Sequence, residues 1–138
     1  MLAIVDAGPL YAAVDVADDD HRRSLETLQR TDLQLVIPAL VVAEAASMVG
    51  ARLGPDIEAA FLGGLSDFSV EAPLPAEWQR IAELVRQYRD FPLGGADASV
   101  VALAERLDTE IVITLDQRHF RAIRPRHRTS FRLLPHDS

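Results

Sequence analysis

The chain has 138 residues, a net charge of −7 and no cysteine, and 49% of its residues are hydrophobic against 25% charged. These values exclude disulfide frameworks and thiolate metal sites, and they argue against a disordered chain or a coiled coil. Lysine is also absent, because all 14 basic residues are arginine, which excludes a Walker-type phosphate loop, a Schiff-base lysine and a Ser–Lys dyad. We therefore expect residues 1–138 to form a single domain that is stabilised by packing alone.

Short apolar runs alternate with helical segments along the chain. Strands are predicted at residues 2–5, 35–37, 68–70 and 111–113, with a possible last edge strand at 131–134. Helices are predicted over residues 9–14, 20–30, 39–52, 56–62, 76–88 and 96–107, and the glycine pair 63–64 is expected to end the fourth. Strands separated by helices indicate βαβ units, so we predict an α/β fold with a parallel sheet.

The N-terminal apolar run is unlike a targeting signal, because Asp6 interrupts it and no positive segment precedes it. The longest apolar run, 35–43, is far shorter than the ~20 residues that span a bilayer. We therefore expect a cytoplasmic protein that does not contact membranes.

Four carboxylates occupy positions that point to one cleft. Asp6 directly follows the first predicted strand, and Asp116 almost directly follows the fourth, so both belong at the carboxyl edge of a parallel sheet. Asp97 begins an apolar helix, and Glu44 interrupts another, where we expect it to be largely buried and to need a compensating charge. Such a cluster is typical of Mg²⁺ or Mn²⁺ coordination, which supports phosphodiester cleavage.

Each of these acids also has a purely structural interpretation. Asp6 and Asp97 could be helix caps, Asp116 a loop residue and Glu44 a surface residue. It is less probable that all four acids have only these structural roles than that any one of them does. The sequence alone, however, does not show that the four side chains meet in one cleft.

Positive charge is concentrated near the C-terminus, where six arginines from Arg118 onward accompany a single acid, Asp137. Arginine binds phosphate through two parallel hydrogen bonds, so this segment is a candidate RNA contact. Arg118 is the best candidate because it adjoins Asp116. The alternative is that the arginines pair with the acidic remainder of the chain.

Three further features have two interpretations each. The histidines lack HxH or HExxH spacing, which argues against zinc, and we expect His119 to stabilise the loop after Asp116. Thr114 is expected to serve as a β-branched strand residue, with a hydroxyl contribution to the cleft as the alternative. The apolar stretch 55–62 is expected to be a dimer or partner surface rather than a core edge.

The segments 4–10, 97–98 and 114–120, together with Glu44, resemble the PIN domain and, more narrowly, the VapC-type toxins of bacterial toxin–antitoxin pairs. The resemblance covers nearly the whole chain in the expected order, and the Thr-Leu-Asp…His-Phe stretch is its most specific part. It implies a PIN-like three-layer fold and a Mg²⁺- or Mn²⁺-dependent endoribonuclease that cleaves single-stranded or looped RNA.

The resemblance also implies roles for the acids and partners for the protein. Asp6, Glu44, Asp97 and Asp116 match the family's acidic positions, so that Asp6, Asp97 and Asp116 would bind the metal and Glu44 would complete the site or orient a water. Family members usually form homodimers and are silenced by a cognate antitoxin that covers the active site. This chain departs from the pattern at Gly8, where the family often has Ser or Thr.

Two other functions fit parts of the pattern. A PIN-like scaffold could act only by binding proteins, and absence of metal-dependent RNA cleavage would favour it. A phosphohydrolase of the haloacid-dehalogenase type is disfavoured, because it needs an aspartate where Gly8 stands and the chain has no lysine.

Overall fold

A computed structural model describes residues 1–137, in which strands and helices alternate. The strands are β1 (Leu2–Val5), β2 (Gln34–Pro38), β3 (Ser69–Glu71), β4 (Ile111–Ile113) and β5 (Arg132–Leu134). The helices are α1 (Ala7–Val14), α2 (His21–Leu28), α3 (Ala39–Leu53), α4 (Pro55–Gly64), α5 (Glu77–Gln87), α6 (Gly95–Arg106) and α7 (Gln117–Ala122). A 3₁₀ turn, Leu65–Asp67, follows α4.

The five strands form one sheet in the order β3-β2-β1-β4-β5, and every neighbouring pair is parallel. Since β1 to β3 progress towards one edge and β4 and β5 towards the other, the strand order reverses between β1 and β4. This reversal opens a crevice at the carboxyl ends of those two strands, which is where parallel sheets bind ligands. The predicted α/β fold with helices flanking a parallel sheet is confirmed.

The core lies around the two central strands and α6. Ala3–Val5 of β1 and all of β4 are buried, which explains why both read as unbroken apolar runs. Helix α6 buries every residue from Ala98 to Ala104 and contacts α3, α5, β1, β2 and β4. Packing on so many sides fixes α6 firmly, and with it the acid Asp97 in its first turn.

Three helices differ from the sequence prediction. Helix α1 begins at Ala7 rather than Pro9, because proline is tolerated in the first turn, where its missing N–H has no intrahelical partner. Helix α4 continues through Gly63 and Gly64, so the prediction that these glycines end it is wrong. Helix α7 was not predicted, since six residues are too few to show helical periodicity.

Among residues 1–137, no helix combines the length and the apolar character that crossing a membrane requires.

Candidate metal centre at the carboxyl edge of the sheet

A cleft of about 420 Å³ lies at the carboxyl ends of β1 and β4. It is lined by the four acids singled out in the sequence, Asp6, Glu44, Asp97 and Asp116, together with Ala7, Gly8 and Leu115. The side chains come from the ends of two strands and from the helices α3 and α6. The structure therefore brings every predicted acidic residue into one cleft, and its catalytic use stays a prediction.

Three helices begin at this cleft. Asp6 occupies the N-cap position of α1, Asp97 lies in the first turn of α6, and Asp116 is the N-cap of α7. Helix N-termini carry a partial positive charge that stabilises nearby carboxylates. Only Asp116 makes a capping hydrogen bond, accepting from the backbone N–H of His119 at 3.1 Å. Capping therefore does not account for Asp6 or Asp97.

The Thr114 hydroxyl links the two acids that follow the strands. Thr114 is 1% exposed, and its Oγ1 donates to Oδ2 of Asp6 at 2.7 Å while accepting from the backbone N–H of Asp116 at 2.9 Å. The expectation that Thr114 serves mainly as a strand residue is wrong, because its hydroxyl binds the Asp6 carboxylate and the Asp116 backbone. One hydroxyl that donates and accepts at once fixes their relative placement.

Burial dominates the electrostatics of Asp6, which is 5% exposed. Removal from water raises the pKa of Asp6, and the negative charge of Asp116 adds to this effect. The hydrogen bond from Thr114 acts in the opposite direction by stabilising the ionised form. The net shift is upward, so Asp6 holds a proton more readily than a free aspartate does.

Asp97 shows the crowding of charge most clearly. Partial burial, and then the negative charges of Asp6, Glu44 and Asp116, raise the pKa of Asp97 to about 7. Like charges that share a poorly solvated site cannot all ionise without a penalty. Without a bound cation, Asp97 is therefore expected to be a mixture of its protonated and ionised forms near neutral pH.

Glu44 lies in a different environment from the one expected. Its side chain is exposed beside Ala43 and Ser47, because α3 buries only the stripe Val41, Ala45, Ala46 and Val49. The prediction that Glu44 is largely buried is wrong, since alanines are small enough to face solvent at little cost. Partial loss of water around the carboxyl, and then the charge of Asp6, still raise the pKa of Glu44.

His119 is a cleft residue that the sequence did not reveal as one. Its Nδ1 lies 2.6 Å from Oδ2 of Asp116 and 4.0 Å from Oδ2 of Asp97. Potential ligand atoms of these three residues all lie within 4.8 Å of one another. The only sequence signal was its position three residues after Asp116, which becomes meaningful once α7 is known to be a helix.

The cleft fits a divalent cation. Carboxylate oxygens are the donors that Mg²⁺ and Mn²⁺ take in proteins, and four of them meet here. The pKa of Asp97 is raised first by burial and then by neighbouring negative charge, and a cation would neutralise that charge. Moreover, Nδ1 of His119 lies 2.6 Å from Oδ2 of Asp116, so a further potential donor atom stands beside the carboxylates.

The arginine-rich segment pairs in part with the acidic remainder of the chain, as the alternative interpretation expected: two of its six arginines contact acids outside it, and a third contacts Asp137 within it. Three of its arginines form ion pairs: Arg121 with Asp137, Arg126 with Glu83 and Arg128 with Asp108. Arg118 is exposed on α7, beside Asp116, and like Arg124 and Arg132 it makes no ion pair within residues 1–137. It therefore remains a candidate for binding phosphate beside the cleft.

Gly8 leaves room for a larger side chain. A Cβ at this position would meet only Leu115, at 3.6 Å, which is an ordinary van der Waals distance. The absence of a hydroxyl here is therefore not imposed by sterics, and Thr114 supplies the hydroxyl nearest to Asp6.

Substitution Thr114→Val should lower the free energy of unfolding by about 1–3 kcal/mol, because it leaves the Asp6 carboxylate and the Asp116 N–H without their partner in a buried place. Thr114→Ser keeps the hydroxyl and is the matched control. Urea denaturation at pH 7 measures both variants. Equal stability of the valine variant and the wild type would return Thr114 to a strand role.

The pKa of Asp97 predicts how stability depends on pH. Since the folded chain holds this proton up to about pH 7 and the unfolded chain loses it near 3.8, the metal-free protein should lose stability as pH rises through this window. Asp97→Asn removes the repelled charge, so it should melt above the wild type at pH 7.5, by about 3 °C for each kcal/mol gained. The difference should vanish towards pH 4.

Thermal melts in chelator test this expectation, with Asp67→Asn in the exposed 3₁₀ turn as the control. A lower melting temperature for Asp97→Asn at pH 7.5 would contradict the crowding of charge.

Comparison with known families and proteins agrees with this geometry. A family model described as the PIN domain matches residues 3–124. Ribonuclease VapC26 of Mycobacterium tuberculosis is 37% identical over 134 residues, which cover 96% of this chain and 99% of that protein.

Three solved structures share the fold. VapC20 of Mycobacterium tuberculosis, described as a sarcin-ricin loop cleaving toxin, matches with a TM-score of 0.77 and 14% identity over 84% of this chain and 91% of that chain. VapBC2 from Rickettsia felis, bound to a promoter DNA fragment, matches with a TM-score of 0.66 and 18% identity over 89% of this chain and 93% of that chain. A toxin–antitoxin complex from Klebsiella pneumoniae matches with a TM-score of 0.63 and 20% identity over 88% of this chain and 92% of that chain. With the family model covering most of its length, the chain belongs to the PIN-domain family.

Proposed function

We propose that the protein is a Mg²⁺- or Mn²⁺-dependent endoribonuclease of the VapC toxin class that cleaves single-stranded or looped RNA. The observation that carries this proposal is the convergence of four carboxylates in one open cleft at the point where the strand order reverses. The relation to a protein named ribonuclease VapC26 supports RNA as the substrate. RNA and an antitoxin partner would both be met in the cytoplasm.

Asp6, Asp97 and Asp116 are the residues that would hold the cation. When bound, a divalent cation polarises a phosphoryl oxygen and lowers the pKa of a coordinated water. Thr114 keeps Asp6 and Asp116 in a fixed relative position. Because geometry alone can account for large factors in rate, this positioning is part of the proposed catalytic arrangement.

Glu44 has a separate part in the proposal. It lies on the exposed face of α3 at the border of the cleft, and its raised pKa favours holding a proton. A carboxylate at that place is suited to orient an attacking water and to accept its proton. Arg118, exposed on the helix that follows Asp116, would bind a neighbouring phosphate of the RNA strand.

We propose that the antitoxin, besides covering the cleft, binds a groove lined by residues of α1, α2 and α4. This groove has a volume of about 320 Å³ and is lined mainly by apolar side chains, among them Leu10, Leu25, Leu28, Phe61 and Phe68. An amphipathic helix buries its apolar face in such a groove. Two of the solved structures with this fold come from toxin–antitoxin systems, which supports a partner of this kind.

The outer face of α4 is proposed as the contact with a second copy of the chain. Helix α4 buries none of its residues, and Ile57 and Leu62 are both more than 40% exposed. Exposed apolar side chains support an association surface. Residues 55–62 are accessible and include such side chains beside the acids Asp56 and Glu58 of the first turn, which supports this proposal.

RNA cleavage should require a divalent cation and the acids of the cleft. Asp6→Asn and Asp97→Asn should each lower the cleavage rate by at least about 100-fold, which is the loss expected when a key electrostatic stabiliser is removed. A panel of defined RNAs, incubated with Mg²⁺, Mn²⁺ or chelator, measures the rates. Asp67→Asn, outside the cleft, is the control.

Cleavage in chelator, or full activity of either cleft variant, would contradict the proposal. If the folded wild type cleaved no RNA of the panel, the non-catalytic protein-binding scaffold would be favoured instead.

Arg118→Ala should weaken RNA binding about equally for all sequences and reduce the slope of log K against log salt by about 1, because one phosphate contact is lost. Arg128→Ala is the control, since Arg128 is already paired with Asp108. Binding titrations at several salt concentrations give the slopes. An unchanged slope in Arg118→Ala would show that this arginine does not contact the substrate.

Light scattering at micromolar concentration should give the mass of a homodimer, and Ile57→Asp should shift it towards the monomer by placing a charge in the apolar contact. Phe61→Asp should instead reduce binding of the cognate antitoxin, because Phe61 lines the groove. A monomeric wild type would contradict the dimer, and undiminished antitoxin binding by Phe61→Asp would contradict the groove.

A further inference from the structure

We infer that Phe91 is a substrate-binding residue, whose ring stacks on an unpaired base of the nucleotide next to the bond that is cleaved. The inference rests on the proposed function, since it concerns the RNA that is proposed as the substrate there. It assigns a contact to a base, whereas the acids of the cleft and Arg118 act on phosphates.

Phe91 lies beside the cleft. Its ring packs against the imidazole of His119, with 5.7 Å between the ring centres, and Nδ1 of His119 lies 2.6 Å from Oδ2 of Asp116. A single side chain therefore separates the ring from a cleft carboxylate. Since the bases of unpaired RNA can splay away from the backbone, the base of a nucleotide next to a phosphate in the cleft is within reach of this ring.

The ring of Phe91 can accept a base on its face. Phe91 is only partly buried. The imidazole of His119 stands at 90° to its ring, and the ring of Tyr88 is tilted by 50°, so neither of these neighbours stacks face to face on it. Bases stack on the faces of aromatic side chains. The two aromatic contacts therefore leave this mode of binding open.

The turn that carries Phe91 is fixed in place. The backbone N–H groups of Phe91 and Leu93 both donate to the carbonyl of Tyr88, at 3.2 and 3.1 Å. The Tyr88 hydroxyl accepts from the backbone N–H of Arg124 at 3.0 Å, which ties this turn to the segment after α7. A ring that is held in place before binding loses little side-chain entropy when a base stacks on it.

The other aromatic side chains are placed differently. Phe61 and Phe68 line the groove proposed for the antitoxin, and the remaining phenylalanines and both tyrosines are buried. Trp78 is exposed, but it lies at the start of α5, a helix about 16 Å long, whereas Phe91 follows the end of that helix. Phe91 is therefore the aromatic side chain best placed to meet a base beside the cleft.

The charge around Phe91 favours an RNA strand as the occupant. Arg86 and Arg89 lie within five positions of Phe91 in the chain, where Asp90 is the only acid. These two arginines, like Arg118 on α7, are exposed and make no ion pair within residues 1–137. An aromatic ring accompanied by unpaired arginines is the combination that binds single-stranded nucleic acid.

Removal of single bases from the RNA tests the contact without any change to the protein. In a single-stranded RNA that the wild type cleaves, the nucleotide on each side of the cleaved bond is replaced in turn by an abasic one. On one side, loss of the base should lower kcat/KM by about tenfold, the order expected of one base–aromatic stack. If neither replacement lowered kcat/KM, the inference would be overturned, while metal-dependent cleavage would stand.

The ring is then changed in the full-length protein. Phe91→Leu should lower kcat/KM on the intact RNA by about tenfold, and the abasic nucleotide should cost this variant nothing further, because the stacking partner is already gone. Phe91→Tyr keeps an aromatic ring and should depend on the base as the wild type does. Trp78→Leu, a change of the same kind at the other end of α5, is the control. Phe91→Met is the second variant without a ring if the leucine protein does not fold.

A purely structural role predicts a different pattern. If Phe91 only supported His119, Phe91→Leu would lower kcat/KM by the same factor on intact and on abasic RNA, and this result would overturn the inference. A leucine variant with wild-type kinetics but weakened binding of the antitoxin would also overturn it, because the ring would then contact protein. A wild type that cleaved no RNA would overturn the proposed function itself, and this inference with it.

Discussion

The constraint on which the site depends is the electrostatic repulsion between carboxylates at one edge of a parallel sheet. Four carboxylates meet in a cleft of about 420 Å³, and partial burial, together with their mutual repulsion, raises the pKa of Asp97 to about 7. Three helices begin at the cleft, and the partial positive charge of their N-termini offsets part of this cost by stabilising anions. The Thr114 hydroxyl offsets a further part at Asp6. What remains is the driving force for binding a cation.

The rest of the molecule serves to hold this edge in place. The central strands β1 and β4 are buried and pair in parallel, so the residues that follow them emerge side by side. The backbone N–H of Thr114 donates to the carbonyl of Leu134, which ties the end of β4 to β5. Helix α6, packed on several sides, carries Asp97 to the same edge. Since packing rather than local propensity fixes these elements, changes in the core should reach the cleft through small displacements.

Much of this site could be predicted from sequence, because its acids follow features with clear patterns. Asp6 and Asp116 come after buried apolar strands, and Asp97 follows a glycine pair that opens an apolar helix. The environment of Glu44 could not be predicted, because an alanine-rich helix looks buried whether or not one of its faces meets solvent. The roles of Thr114 and His119 were hidden for another reason. Thr114 bonds a residue 108 positions away, and His119 depends on a six-residue helix too short to leave a periodic signal.

Proton release on metal binding tests the central claim most directly. Calorimetric titration of Mn²⁺ at pH 7, in buffers of different ionisation enthalpy, counts the protons that leave the protein for each cation bound. A carboxyl with a pKa of about 7 is half protonated at that pH and must ionise to become a ligand, so at least about 0.5 proton should be released per cation. Binding without proton release would contradict the claim that a carboxyl with a raised pKa in this cleft ionises to bind the cation.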